Sequence, residues 1–173
     1  MAYIGTIKWT HLREVLQQYG DYFIQLAKDD LQANKTNASY TLSDTMRTIV
    51  NIFDDRMEVD IELQDYWYYV EHGRRPGKFP PVNKIKEWIR VKPVTPYADS
   101  KGRMPTVDQL AFLIGRKIAT EGTDPQPFFE KNKKITFDHF QEAIALAIDE
   151  DVAEYIEDLL VNQGLYDSLF KAF

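Results

Sequence analysis

The sequence predicts an α+β fold, in which a small antiparallel β-sheet or hairpin packs with several helices and the last helix is long. Residues 57–63 (MEVDIEL) alternate strictly between apolar and acidic side chains, as in a strand with one buried and one solvated face. Other segments repeat apolar residues every three or four positions, which is the spacing of one helix face. In residues 135–161 this spacing continues for about seven turns.

A helix over residues 11–31 is the first predicted element. Its apolar residues form one stripe, and Thr10 is its candidate N-cap. Gly20 lies inside this helix and weakens it by about 1 kcal/mol relative to Ala. A polar surface loop is expected to follow.

A β-hairpin is the next predicted element. Residues 48–53 (TIVNIF) are rich in β-branched side chains, and a short polar turn separates them from the alternating residues 57–63. The acids on the polar side of the second strand favour a solvated face. Pairing of these acids with basic groups of a neighbour is the alternative.

The second half of the chain predicts helices separated by proline-rich loops. We expect helices over residues 64–72, 82–91, 107–120 and 135–161, ended or capped in several cases by a recognisable residue: Gly73, Thr106, Gly122 and Gly164. The segments 74–81, 92–105 and 123–134 are expected to be loops, the second of them mobile or ordered by a partner. Residues 1–134 are predicted to form one domain. Residues 135–173 are predicted to add an amphipathic helix and an apolar tail, packed on this domain or on a neighbouring subunit.

Charge is unevenly distributed along the chain, whose net charge is −6. Residues 71–103 contain nine bases and three acids, whereas residues 138–158 contain eight acids and no Lys or Arg. These segments can attract each other within one fold or between copies, and the second arrangement would give head-to-tail assembly. The chain contains no Cys, which excludes disulfides and thiolate metal sites. No apolar run reaches the length of a membrane span.

Catalytic, metal and cofactor patterns are missing from the sequence. The three His are dispersed, and neither a phosphate-binding glycine loop nor a nucleophile motif occurs. Glu71 and His72 could act as an acid–base pair, but a polar helix end beside a turn glycine is the favoured interpretation. Acidic runs such as residues 149–151 favour a solvated helix face over cation binding. We therefore predict no enzymatic activity, no cofactor and no metal.

Residues 66–81 (YWYYVEHGRRPGKFPP) combine aromatic side chains, a glycine turn and a basic, proline-stiffened loop. Such a surface could grip a nucleic-acid backbone, but Arg and Tyr are equally enriched in protein–protein contacts, and the net acidity favours the latter. Phe128 and Phe129 are expected to dock into the core or onto a neighbour, and the apolar tail is expected to fold back on the domain or to dock on another subunit. The predicted subunit-contact residues are Tyr68, Tyr69, Arg74, Arg75, Pro76, Lys78, Phe79, Phe128, Phe129, Leu169, Phe170 and Phe173.

Two ordered motifs resemble the tail-completion and neck (head–tail joining) proteins of tailed bacteriophages. The first is YWYYVEHGRRPGKFPPVNKIKEWIR and the second is AFLIGRKIATEGTDPQPFFEKN. The resemblance covers roughly residues 45–131. The matching residues are Tyr69, Val70, Glu71, Gly73, Arg75, Pro76, Pro80, Pro81 and Trp88, then Arg116, Lys117, Ile118, Gly122, Thr123, Pro125, Pro127 and Phe128. The chain departs from the pattern at His72, in a longer loop over 92–105, and after Lys134.

The resemblance implies a structural virion protein without catalytic residues. Such proteins assemble as rings, commonly of six or twelve copies, and contact neighbouring neck, connector or tail-tube proteins. Non-specific contact with packaged DNA stays open, and no membrane is involved. The implied location is the head–tail junction of a virion made in the bacterial host cytoplasm. The alternatives are a DNA-contacting or nuclease-like module that uses the basic cluster, and a tail-assembly chaperone that leaves the particle.

Overall fold

A computed structural model of the chain describes residues 7–34, 41–53, 56–91, 94–98 and 100–162. These residues form a two-stranded antiparallel sheet and six helices, which confirms the predicted α+β fold with a long C-terminal helix. In chain order the elements are α1 (Thr10–Ala33), α2 (Thr41–Asp44), β1 (Arg47–Ile52), β2 (Met57–Glu62), α3 (Trp67–His72), α4 (Val82–Val91), α5 (Val107–Glu121) and α6 (Phe129–Asn162).

The chain divides into two compact units. Unit 1 comprises residues 1–24, 47–62 and 133–173, and unit 2 comprises residues 25–46 and 63–132. The division predicted from the sequence fell between residues 134 and 135, close to the point where α6 passes from unit 2 into unit 1. In the structure, the start of α1 and the hairpin belong to unit 1 with the later part of α6.

The core of unit 1 joins α1, the hairpin and α6. Leu12, Leu16 and Ala147 are buried at its centre, where the hairpin contributes Val50 and Val59, among other partly buried side chains. Val50 lies opposite Val59 in the register of the sheet. The predicted alternation of β2 therefore has the apolar side facing the core.

The other face of the hairpin is polar, as its alternation predicts. Asn51 Nδ2 donates to Asp60 Oδ2 at 2.9 Å, and the Arg56 guanidinium contacts Glu58 at 2.6 Å. Two of the acids on this face therefore have partners within the same hairpin. Because these pairs are exposed, we expect each to contribute little to stability.

A glycine lets α1 approach the hairpin. A Cβ added at Gly20 would lie 2.1 Å from Cγ2 of Thr48, closer than real atoms come. The Thr48 hydroxyl donates to Asp21 Oδ1 at 2.9 Å, beside the same contact. Gly20 thus costs helix propensity but permits close packing of α1 against β1.

Unit 2 is centred on α4 and α5. Ile85 of α4 and Ala111 of α5 are buried, and Thr106 begins α5 with a capping box in which its side chain and that of Gln109 satisfy each other's backbone N–H. Gly122 ends α5 and donates its N–H to the Ile118 carbonyl at 2.9 Å. The predicted cap and end of this helix are both confirmed.

Helix α6 departs from prediction in its start and in its buried face. It begins at Phe129, about two turns before the expected residue 135, because a side chain from elsewhere caps it. Its buried residues include Asn132, Thr136 and Asp151, whereas Phe137 is 55% exposed and Ile156 is 50% exposed. Of the apolar stripe predicted for this helix, three residues (Phe137, Ile148 and Ile156) are exposed and four (Phe140, Ile144, Val152 and Leu159) are partly buried.

None of the helices described is both long enough and apolar enough to cross a membrane. Three predicted contact residues, Leu169, Phe170 and Phe173, lie outside the described residues.

Candidate interaction surface

Two segments far apart in the sequence lie side by side in unit 2. Arg74 and Thr123 form an antiparallel bridge, with N–H···O distances of 3.1 and 2.8 Å between their backbones. On either side of this bridge, Gln126 N–H donates to the Val70 carbonyl and Gly77 N–H donates to the Ala119 carbonyl, both at 2.8 Å. These segments carry the two motifs on which the resemblance rests.

Two glycines make this crossing sterically feasible. Gly73 has φ 69° and Gly122 has φ 81°, a region that side-chain-bearing residues rarely adopt. A Cβ at Gly73 would lie 2.3 Å from the Thr123 carbonyl oxygen, and one at Gly122 would lie 2.1 Å from the Arg74 carbonyl oxygen. Both obstacles are backbone atoms and cannot rotate away. The glycines of both motifs thus serve the geometry of one backbone crossing.

Glu71 links the crossing to the start of α6. Its buried carboxylate accepts the backbone N–H groups of Phe128 and Phe129 at 2.7 Å each and that of Glu130 at 3.2 Å. Helix N-termini carry unpaired N–H groups and partial positive charge, which favour an anionic cap. Glu71 therefore has an architectural role, in line with the interpretation favoured over an acid–base pair with His72.

Aromatic side chains cover this region of unit 2. Trp67 lies against Phe129, with ring centroids 4.8 Å apart, and fixes α3 against the first turn of α6. Tyr68 contacts the His72 ring at 4.4 Å between centroids. Tyr68 and Tyr69 are 55% and 58% exposed, so these two predicted contact residues lie on the surface.

In the basic loop after α3, Arg74 bonds within the loop and the two other bases are exposed. The Arg74 guanidinium donates to the Lys78 carbonyl oxygen and so bonds within its own loop. Arg75, Pro76 and Lys78 are exposed. Of the three predicted basic contacts, Arg75 and Lys78 therefore present their charges outward.

Phe79 and Phe128 differ in accessibility. Phe79 is partly exposed and packs on Phe112, with ring centroids 5.6 Å apart, directly over Gly115 of α5. Phe128 is fully buried, so this predicted contact residue belongs to the core of its own unit. The alternative of docking into the core therefore applies to Phe128. Phe129 is half-buried against Trp67.

A second buried carboxylate, in unit 1, was not recognised from the sequence. Asp151 is 1% exposed and accepts the backbone N–H groups of Thr10, His11 and Leu12 at 2.9–3.0 Å. It thus caps α1, whereas Thr10, the predicted N-cap, is itself the first helical residue. The acidic run 149–151 was expected to face solvent. Its pairing with residues about 140 positions away leaves no local sequence signal.

His11 completes the Asp151 cluster. Its Nδ1 lies 3.0 Å from Asp151 Oδ1, and its Nε2 lies 3.7 Å from Glu154 Oε1. The hydrogen bond with Asp151 raises the pKa of His11, desolvation lowers it, and the nearby charges of Glu154, Asp151 and Glu150 raise it, so the pKa of His11 lies above its ordinary value. For Asp151, burial raises the pKa, but the hydrogen bonds from Leu12, His11 and Thr10 together lower it below its ordinary value.

The same three side chains have the composition of a small cation site. Ligand atoms of His11, Asp151 and Glu154 lie within 4.8 Å of one another. Both Asp151 oxygens already accept backbone N–H groups, and Lys8 lines the same recess. This arrangement fits a helix cap with a protonatable partner better than it fits an ion-binding centre.

No family model, curated protein or solved structure matches this chain in the comparisons with known proteins. The resemblance to phage tail-completion and neck proteins therefore rests on the motif residues alone.

Proposed function

We propose that the chain is a structural virion protein of a tailed phage or prophage, which forms a ring at the head–tail junction through protein–protein contacts. The observation that carries the proposal is the Arg74–Thr123 bridge, where the two resembling motifs meet. Gly73, Gly122 and Glu71 are all used to build that junction. These motif residues fix the backbone geometry and take no part in a reaction. Such a role fits a protein that functions by assembly.

The exposed side chains around this junction suit a protein interface. Tyr68, Tyr69 and Arg75 project from backbone that is held by the bridge and by the Glu71 cap. Tyr and Arg dominate the energetics of many protein interfaces, because they bury large areas and still make directed polar contacts. A surface fixed before binding loses less conformational entropy when a partner arrives.

The charge distribution supports contact between unlike surfaces of neighbouring copies. The basic segment 71–103 lies in unit 2, and most of the acidic segment 138–158 is exposed on α6 in unit 1. A contact between two different surfaces of identical copies is heterologous, and it closes into a ring when the rotation between copies divides a full turn.

The composition of purified particles tests this proposal. We expect mass spectrometry of density-purified phage or prophage particles to detect this protein at a stoichiometry of a few to a dozen copies, as the resemblance implies. A null mutant should accumulate filled heads and separate tails. Absence of the protein from mature particles would overturn the proposal; if the null mutant also lacked complete tails, the chaperone alternative would replace it.

A pair of surface variants tests whether the exposed Tyr68 and Tyr69 take part in head–tail joining. Tyr68→Ala with Tyr69→Ala should reduce joining of heads and tails in complementation, because both side chains are exposed and their loss leaves the core intact. Glu87→Ala, an exposed change on α4, is the control and should complement fully. Equal complementation by both variants would show that Tyr68 and Tyr69 are not needed for head–tail joining.

DNA binding is the alternative function, and the exposed basic side chains of Arg75 and Lys78 allow it to be tested. If Arg75 and Lys78 contact phosphates, changing both to Ala should reduce the slope of log affinity against log salt by roughly 2 in DNA-binding assays. Our proposal expects weak binding with no difference between this double variant and the unaltered chain.

A further inference from the structure

An open apolar groove, here called the α5 groove, lies in unit 2 on the surface of α5. Phe112 and Leu113 form one wall, and Tyr97, Met104 and Pro105 of the preceding loop form the other, around a volume of about 750 Å³. Tyr97 is 95% exposed and Met104 is 60% exposed. Large apolar side chains gathered at one exposed place usually mark a contact site.

The groove has the character of a site for a peptide rather than for a small charged ligand. Of its two charged lining residues, Asp108 already pairs with Lys86, at 2.7 Å between Oδ1 and Nζ. Arg103, beside Lys101, gives the loop wall a basic character. An apolar groove with a basic rim accepts an apolar helix or strand that has acidic residues nearby.

The C-terminal segment of this chain (residues 163–173) has that chemistry. We propose that the α5 groove of one copy binds the C-terminal segment of a second copy. Leu165, Leu169 and Phe173 recur every four residues and Phe170 lies beside them, the spacing of anchors in helix-in-groove recognition. If this segment binds as a helix, its eleven residues span about 16 Å.

Charge and exposure favour a second copy as the donor of this segment. The segment follows the acidic half of α6, which would bring Glu154, Glu157 and Asp158 towards the basic rim of the groove. On the same helix Ile156 and Val161 are 50% and 62% exposed. A neighbouring copy would cover Ile156 and Val161.

This inference rests on the proposed ring, and it supplies the contact that would repeat around it. The groove and the C-terminal segment are different surfaces, so each copy would donate one and accept the other. Such contacts close into rings or continue into filaments, according to the rotation between copies.

Cysteine cross-linking tests the contact in the full chain, which has no cysteine of its own. Leu113→Cys and Phe170→Cys are made as separate variants, mixed at equal concentration and oxidised. Because bound partners have millimolar effective concentrations, we expect the mixed disulfide dimer to form at least about tenfold faster than with a control. The control pairs Phe170→Cys with Gln32→Cys, an exposed position on α1.

Competition and a double variant complete the test. A synthetic peptide of residues 163–173 should suppress the cross-link, and the same peptide with Leu169→Asp and Phe170→Asp should not. Cross-linking no faster than the control would overturn the inference. So would a double variant, Leu113→Cys with Phe170→Cys, that forms only an intrachain disulfide at all concentrations.

The failure of this contact is distinguishable from the failure of the proposed function. If the protein is present in mature particles but the two cysteines do not cross-link, the ring uses another contact. If the cysteines cross-link but particles lack the protein, the copies self-associate in another role.

Discussion

Two helices of this chain begin on a buried carboxylate, and the two caps are built differently. Asp151, within the long helix α6, accepts three backbone N–H groups of α1 and contacts His11. Glu71, on the short helix α3, accepts three backbone N–H groups at the start of α6. Each carboxylate is separated from its partners by many residues and is almost fully buried.

The difference lies in what holds each carboxylate in place. Asp151 is fixed by several helical turns on either side, whereas Glu71 lies two residues before Gly73 and three before Arg74, whose backbone forms the bridge to Thr123. The cap of α1 therefore depends on packing within unit 1, and it includes a titratable partner, His11. The cap of α6 depends on the local crossing that also positions the candidate interaction surface.

Removal of the Asp151 carboxylate is expected to have the largest effect on stability. Asp151→Ala leaves buried N–H groups of α1 without an acceptor, and each such group costs roughly 1–3 kcal/mol. We expect a loss of about 4 kcal/mol in the free energy of unfolding, measured by urea denaturation. Asp149→Ala, an exposed change on the same helix, should cost less than about 0.5 kcal/mol. Equal effects of the two changes would mean that Asp151 does not cap α1.

Removal of the Glu71 carboxylate should cost somewhat less. Glu71→Ala exposes the first turn of α6, and water can replace part of the lost bonding because Glu130 is exposed. We expect a loss of about 3 kcal/mol, together with hydrogen exchange at the Phe128 and Phe129 amides that is faster than in the unaltered chain. Unchanged exchange at these amides would contradict the cap, whatever the change in stability.

The crossing that supports Glu71 can be tested at its glycine. Gly73→Ala combines a left-handed backbone with a clash against a carbonyl oxygen, so we expect a loss of about 3 kcal/mol. Gly102→Ala is the matched control, because Gly102 has a similar φ of 74° but open space around it. Its cost should be only the backbone strain, about 1 kcal/mol. Equal costs for both would show that the close approach to Thr123 contributes nothing.

The smallest expected effect is the pH dependence of the α1 cap. His11 has a raised pKa, so its contribution is complete below its ordinary value of 6.5 and is lost as pH rises through the raised value. Asp151 has a lowered pKa, so its contribution is complete above 3.8 and is lost as pH falls through the lowered value. Stability from this cluster is therefore greatest between these limits.

His11→Asn isolates that effect. In the unaltered chain we expect the urea midpoint to be higher at about pH 5.5 than at about pH 8.5, and the variant should lose most of this difference. The groups facing His11 are Asp151, Glu150 and Glu154, all on α6. If the variant retains the full difference in urea midpoint between the two pH values, that difference arises from groups other than His11.

Local patterns in the sequence predict the elements whose partners are close in the chain. The hairpin, α4 and the Thr106 cap of α5 follow from alternation, helical spacing and a Thr placed just before an apolar-periodic segment, and all are present. The buried face of α6 could not be read this way. Asn132, Thr136 and Asp151 are polar, and they are buried because of bonds or packing to distant residues that apolar periodicity does not register.

Only part of the candidate surface could be predicted, because some of its residues are placed by contacts between distant segments. Tyr68, Tyr69, Arg75 and Lys78 are exposed: the two Tyr lie on the short helix that ends before Gly73, and Arg75 and Lys78 lie in the loop after it. Phe128 is buried because it lies next to the crossing of two distant segments, whereas the Arg74 side chain donates to the Lys78 carbonyl within its own loop. The position of a residue at such a crossing depends on tertiary contacts, which composition does not reveal.

The location of the protein in the particle tests the central claim most directly. Antibody or gold labelling of an epitope tag, viewed by electron microscopy of purified tailed particles, should mark the junction between head and tail. Label at that junction, lost when the tag is absent, is the result that our proposal predicts. Label on the capsid shell or the tail fibres, or particles without label, would contradict it.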